Sequence, residues 1–213
     1  MNFHEFEKQI VKIRKMDLPG EEIQYRMAPV ERLAELKKEA RSLNLAKRAG
    51  VLALFYPSQE WQTHLALILR KTYKGVHSAQ VGFPGGKLEK QDLSIRDTAL
   101  RETEEEVGVP REDIRIIREL TEIYIPPSNF FVKPFLGLTD NPPEFVLEER
   151  EVEALIEVEL DSFMDNSCMV TETLSTSYAK ELVVPAFSLN GHIVWGATAM
   201  MLNEIREMLK VIL

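Results

Sequence analysis

One cysteine, Cys168, occurs in 213 residues. A single thiol excludes an internal disulfide framework and fits a reducing compartment. Nothing around Cys168 marks a nucleophile, so it reads as a buried, inert thiol. Long apolar runs are missing as well: none approaches the ~20 residues of a membrane span. The first twenty residues are charged throughout, which argues against a signal peptide. Positive charge is scarce, with 26 Lys+Arg against 34 Asp+Glu and a net charge of −8. Such a surface disfavours nonspecific binding to nucleic acid or anionic membrane, and any anionic substrate needs local cations. No repeat or low-complexity segment is present. These absences predict a cytoplasmic protein with neither nucleic acid nor membrane as partner.

What remains is ample for a core: 45% apolar and 28% charged residues. The length suits one sizeable domain, or a domain with a helical extension. Phe3, Phe6, Ile10 and Ile13 share one helical face, and Leu18-Pro19-Gly20 breaks that helix. A second helix is predicted from about Pro29 to Leu43, striped by Val30, Leu33, Leu36 and Ala40. The basic patch Lys37, Lys38, Arg41, Lys47 and Arg48 reads as a solvated helix end or as a contact for substrate phosphate. Residues 50–56 and 65–69 are near-continuous apolar runs, as in buried strands. Residues 114–125 read as one strand, and 130–138 as another in which Pro134 implies a bulge or an edge. Pro126 to Asn129 form a stiff turn between them. Val152 to Leu160 is a further strand, 161–168 a helical turn, 169–188 a hairpin, and Trp195 to Leu213 a closing helix with Trp195 in the core. Short strands mixed with a few helices predict an α+β fold.

The stretch Gly85 to Val109 organises the chain. Ser94 with Asp97 three residues on predicts a helix N-cap, and Gly108 its stop. At about 100° per residue, Glu102, Glu105 and Glu106 gather on one side of this helix. Like charges at these spacings repel by roughly 0.2–0.5 kcal/mol per pair unless cations join them. Oxygen ligands of this kind suit Mg²⁺ or Mn²⁺ shared with substrate phosphates. Arg101 lies four residues before Glu105 and can pair with it. Gly85-Gly86 permits close backbone approach and could offer carbonyls to a metal or N–H groups to a phosphate. The bland alternative is a solvated acidic helix face.

This segment resembles the Nudix box, G-x5-E-x7-R-E-U-x-E-E-x-G-U, through Gly86, Arg101, Glu102, Glu105, Glu106, Gly108 and Val109. Asp92 stands where the box has Glu, eight residues rather than seven separate it from Arg101, and Thr103 takes an apolar position. The same lengthening marks the coenzyme A pyrophosphatase branch of that family. Its flanking signature is matched by Arg70, His77, Gln80-Val81 and Phe83-Pro84-Gly85-Gly86. Ala79, Glu89 and Lys74-Gly75-Val76 depart from it. Residues 193–199, IVWGATA, resemble the branch's I-W-G-x-T-A element.

The resemblance covers about residues 49–213. It implies an α/β/α sandwich with a mixed sheet over 46–213, preceded by an N-terminal helical extension over 1–45 that packs on it or on a second subunit. It also implies hydrolysis of a nucleoside diphosphate linked to another moiety. The leading substrate is coenzyme A or an acyl derivative. ADP-ribose or another NDP-sugar is the alternative, and a non-catalytic nucleotide-binding module is a reading of another class. Carried over, Glu102, Glu105 and Arg101 are catalytic, while Glu102, Glu105, Glu106 and Gly86 hold Mg²⁺ or Mn²⁺. Arg70, His77, Gln80 and Phe83 bind substrate. Glu102 is the candidate base within the box; Glu149, Glu151 and Glu153 are candidates from outside it. The family analogy suggests a homodimer.

Overall fold

The computed structural model describes residues 1–29, 46–71, 80–174 and 181–213. The helix expected from about Pro29 to Leu43, with Lys37, Lys38 and Arg41, lies beyond Pro29 outside the described residues, as does His77.

Strand β1 (Lys47–Pro57) is the axis of an eight-stranded sheet. It pairs antiparallel with β2 (Thr63–Arg70) and parallel with β7 (Phe130–Thr139), from Lys47 opposite Phe130 to Phe55 opposite Leu138. The parallel pair makes the sheet mixed. Around this pair lie β3 (Val81–Gly82), on β2, and β4 (Gly85–Lys87), on β1. The remaining strands are β5 (Ile114–Glu119) and β6 (Ile123–Ile125), both on β7, and β8 (Val152–Glu159), on β2.

Strand periodicity sorts β1 into two faces. Leu52, Leu54 and Tyr56 pack with Ala99 and Val107 of helix α3 (Ile95–Val107). Ala53 and Phe55 pack on the opposite side. They meet α1 (Phe3–Ile10), which brings Phe3, Phe6 and Ile10, and α5 (Gly196–Ile212), which brings Leu202, Ile205 and Leu209. The outcome is helix on both sides of a mixed sheet, the expected α+β sandwich. Asn2 caps α1 by accepting from the His4 N–H at 3.0 Å.

Two local readings are corrected. Residues 114–125 are two strands, and Pro134 sits on neither an edge nor a bulge but in β7, opposite Val51 of β1. Pairing of β5 with β7 ends at Glu119–Phe135, and that of β6 begins at Ile123–Val132. Pro134 cannot donate to a ladder, and it falls where the neighbouring strand is interrupted. Only its carbonyl is used there, by Leu120 N–H at 2.9 Å. The break after Pro19 is followed by a short helix, α2 (Gly20–Tyr25), which the sequence reading did not contain.

A second sheet of three antiparallel strands follows α4 (Leu160–Met164): β9 (Met169–Leu174), β10 (Leu182–Leu189) and β11 (His192–Trp195). The hairpin expected over 169–188 is present. Strand β11 was missed, although Asn190-Gly191 marks the turn before it. Both residues have positive φ, 48° and 80°, as a type I′ turn requires.

Candidate active site

Helix α3 is set by local chemistry. The Ser94 hydroxyl accepts from the Asp97 N–H at 3.1 Å, and Gly108 closes the helix at φ 76°. Thr103, where the box is apolar, is fully buried, and its hydroxyl donates to the Ala99 carbonyl at 2.7 Å. That bond removes the cost of its polarity. Gly50 of β1 seats the helix: a Cβ there would lie 2.3 Å from the Ile95 carbonyl oxygen.

β4 carries the glycine pair across the helix. Gly86 lies under Glu102, so closely that a Cβ would meet its carboxylate at 2.3 Å. Gly85, at φ 148°, donates its N–H to Glu106 Oε2 at 2.7 Å. Glu106 is 1% exposed. Its other oxygen, Oε1, faces the Arg70 guanidinium at 3.1 Å but has no hydrogen-bond partner of good geometry. Burial pushes the Glu106 pKa up to about 7, against the lowering effect of Arg70 and the Gly85 N–H. Glu102 and Glu151 add to the rise. The Glu102 pKa is also raised, chiefly by burial, with Arg101 opposing.

Arg101 is the brace. Its Nε and Nη2 donate to both Asp92 oxygens at 2.8 and 3.0 Å, and its Nη1 reaches Glu102 and Glu105, each at 2.9 Å. Asp92 also accepts from the Glu89 N–H and the Thr98 hydroxyl, each at 2.8 Å. The Arg101 hydrogen bonds hold its carboxyl well below the usual carboxylate range. Asp92 does not figure among the predicted site residues; its place at the box's Glu position was the available signal.

Beside β4 lies a cleft of about 330 Å³. Arg70, Gln80, Phe83, Gly85, Gly86 and Lys87 line one side; Phe130, Trp195 and Thr198 line another, with Pro127 and Ser128 at the loop. Of the predicted substrate residues, Arg70, Gln80 and Phe83 therefore share one cavity. Phe83 is 2% exposed and belongs to the core as well. Arg70 is already paired with Glu106 and also donates to the Gly85 carbonyl at 3.3 Å. Trp195, read as core, is only half buried and forms cleft wall. Lys87 and Trp195 were missed as site residues; the I-W-G-x-T-A-like element was the available signal for Trp195, Lys87 had none, and only the fold brings them together.

The residues suit a hard divalent cation in part. Glu102 and Glu106 are desolvated, Glu106 Oε1 has no hydrogen-bond partner and only the Arg70 guanidinium beside it, and only Gly leaves room above Glu102. Glu105 is more than half exposed and turned to Arg101. Among the described residues, no group of three or more Asp, Glu, His or Cys side chains converges as a metal cluster. The fit is therefore a two-carboxylate one, with glycine backbone beside it.

A family profile described as "NUDIX domain" matches residues 45–167. The chain belongs to the Nudix family. Among its relatives is a protein of Pectobacterium atrosepticum called "Uncharacterized Nudix hydrolase NudL", 30% identical over 177 residues, 80% of this chain and 87% of the relative. A protein of the same name from Yersinia enterocolitica is 30% identical over 147 residues, 69% of this chain and 74% of that one. The crystal structure of a Nudix hydrolase from M. smegmatis, RenU, superposes with a TM-score of 0.54 at 16% identity, covering 79% of this chain and 88% of that chain. At that identity the likeness speaks for the Nudix fold alone. Kinship and site together make this chain a Nudix-type hydrolase. Among the described residues, no helix is long and apolar enough to cross a membrane.

Proposed function

We propose that this Nudix hydrolase cleaves the diphosphate bridge of coenzyme A or acyl-coenzyme A, releasing 3′,5′-ADP and (acyl-)4′-phosphopantetheine. One observation carries the reading. The cleft beside Glu102 and the buried Glu106 brings together, within its lining, two segments far apart in sequence, Gln80 to Gly86 and Trp195 to Thr198. Both of these segments carry the branch-like motifs.

Water adds to one phosphorus of the bridge, the bond to the bridging oxygen breaks, and each product leaves as a phosphate monoester. A bridge shielded by its own negative charge resists that attack. Mg²⁺ or Mn²⁺, held by Glu102 and Glu106 with Glu105 and the Gly86 backbone in support, would neutralise the bridge and acidify a bound water. Arg101 orients Glu102 and Glu105. Arg70 keeps the Glu106 carboxylate facing the glycine strand and offers its remaining donors to a phosphate at the cleft wall. Glu102 takes the water's proton as the base within the box, with Glu151 close enough to tune it. Gln80 and Phe83 shape the cleft around the substrate. We take 46–213 as the catalytic unit and 1–45 as an extension that packs on it. We place the protein in the cytoplasm as a homodimer.

The purified protein would be incubated with coenzyme A, acetyl-coenzyme A, ADP-ribose, NADH and diadenosine polyphosphates, with Mg²⁺ or Mn²⁺, and the products weighed by mass spectrometry. The expected product is 3′,5′-ADP from the coenzyme A compounds. Cleavage of ADP-ribose alone would overturn the substrate and keep the chemistry; binding without any product would point to a module without catalysis.

A further inference from the structure

Strand alternation places a charged rim on the cleft. Lys47, Ala49 and Val51 project from one face of β1, the face that deeper in the sheet carries Ala53 and Phe55 into the core. Ala49 and Val51 form cleft floor. Lys87 is the register partner of Ala49 across β4, and Phe130 that of Lys47 across β7, so both share this face. Lys87 lines the cleft, and the Lys47 ammonium stands 5.7 Å from the centroid of the Phe130 ring, a cleft wall residue. Lys47 and Lys87 are thus diagonal neighbours, about 7–8 Å apart at the backbone. Their long side chains can converge on one group.

The neighbouring cations each already hold a carboxylate. Arg48, on the other face of β1, pairs with Glu122 at 3.0 Å, and Arg70 with Glu106 at 3.1 Å. Among the described residues, neither Lys47 nor Lys87 has a carboxylate within ion-pair distance. In a chain of net charge −8, two exposed ammonium groups at the mouth of one cleft, without a carboxylate partner among the described residues, form a local positive site.

We infer that Lys47 and Lys87 bind a second anionic group of the substrate, a phosphate monoester separate from the diphosphate cleaved beside Glu102 and Glu106. This rests on the reading above, in which the substrate carries such a group on its ribose 3′-oxygen. Two point charges on flexible stems suit a dianionic phosphate, and Phe130 steers one of them through its ring face. The pair makes the site selective for phosphorylated over unphosphorylated ribose without contacting the scissile bond.

The test compares coenzyme A with dephospho-coenzyme A, which has the same diphosphate and pantetheine but lacks the ribose phosphate. The readout is the ratio of kcat/KM for the two substrates, in the native chain and in Lys47→Ala, Lys87→Ala and the double variant. Wild type is expected to favour coenzyme A. Each single variant lowers the ratio about tenfold, in line with one charge-assisted contact. The double variant lowers it further, and Lys87→Arg restores most of it. Ratios equal to wild type, or variants that slow both substrates alike, would overturn the assignment. If wild type cleaves neither compound but cleaves ADP-ribose, the coenzyme A reading itself fails and takes this inference with it. Cleavage of both with indifference to the ribose phosphate defeats the inference alone.

Discussion

Asp92 grips Arg101 through two parallel hydrogen bonds, Nε to Oδ1 at 2.8 Å and Nη2 to Oδ2 at 3.0 Å, with the Asp92 side chain 1% exposed. The acid is one methylene shorter than the Glu of the family box, and the spacing to Arg101 is one residue longer. The two departures meet in one contact, which fixes the arginine that in turn holds Glu102 and Glu105.

Asp92→Asn should therefore act twice. Removing one member of a buried ion pair costs about 3 kcal/mol or more, and Arg101 loses its anchor, so turnover falls with stability. Asp92→Glu keeps the charge but crowds the contact; we expect it to be milder in thermal melting yet still slower in turnover. If Asp92→Asn melts like wild type, the brace is not structural.

Gly86→Ala places a Cβ 2.3 Å from the Glu102 Cδ. The carboxylate must move, and a displacement of about 1 Å in a positioned group costs on the order of a hundredfold in rate. The expected signature is a large loss of kcat with little change in melting temperature. Gly191→Ala, at φ 80° with open space around it, serves as contrast: about 1 kcal/mol of backbone strain and normal turnover. Unimpaired turnover by the Gly86 variant would remove Glu102 from the site.

Glu106 ties stability to pH. Its folded pKa, raised to about 7, lies above the ordinary 4.5. The folded state therefore binds the proton more tightly than the unfolded one. This contribution is fully present below pH 4.5 and is lost as pH rises through about 7, roughly 3 kcal/mol in all. Glu102, also raised, adds to the same slope. Metal-free protein should lose melting temperature between pH 5 and 7.5 (about the interval the Glu106 shift spans), and Glu106→Gln should flatten that loss. The same variant should abolish metal-dependent hydrolysis while retaining the native circular dichroism spectrum. A Glu106→Gln enzyme with normal turnover would end its assignment as a ligand.

Glu204 anchors the N-terminal segment from inside α5. Fully buried, it accepts from Gln24 Nε2 at 2.9 Å, the Thr121 N–H at 3.3 Å and the Gly20 N–H at 3.4 Å, and from the Thr121 hydroxyl. Glu204→Ala removes the acceptor shared by Gly20, Gln24 and Thr121, and Gln24 Nε2 keeps only the Thr121 carbonyl, at 3.0 Å; a donor left buried without a partner costs about 1–3 kcal/mol. We expect a sharply lower melting temperature and early proteolytic cleavage near residues 17–29. A variant as protease-resistant as wild type would show that this contact does not hold the segment.

What could be read from the chain itself was whatever depends on neighbours in sequence. Helix α3, its Ser94 cap and its Gly108 stop follow from spacing and backbone preference, and so do the paired acids on one side and the apolar runs of β1 and β2. The Asn190-Gly191 turn was legible too, though it went unread. The tertiary structure decided which acids are buried. It turned Glu105 outward to Arg101 and left Glu106 under β4 with one oxygen facing Arg70 and without a hydrogen bond. It put Pro134 in a central strand because a gap between β5 and β6 happens to face it. It brought Lys87, Phe130 and Trp195 to one cleft. No local pattern encodes these outcomes. Burial, desolvation and convergence are set by segments that meet only when the sheet closes, and the pKa of a carboxylate answers to that surrounding rather than to its place in the chain.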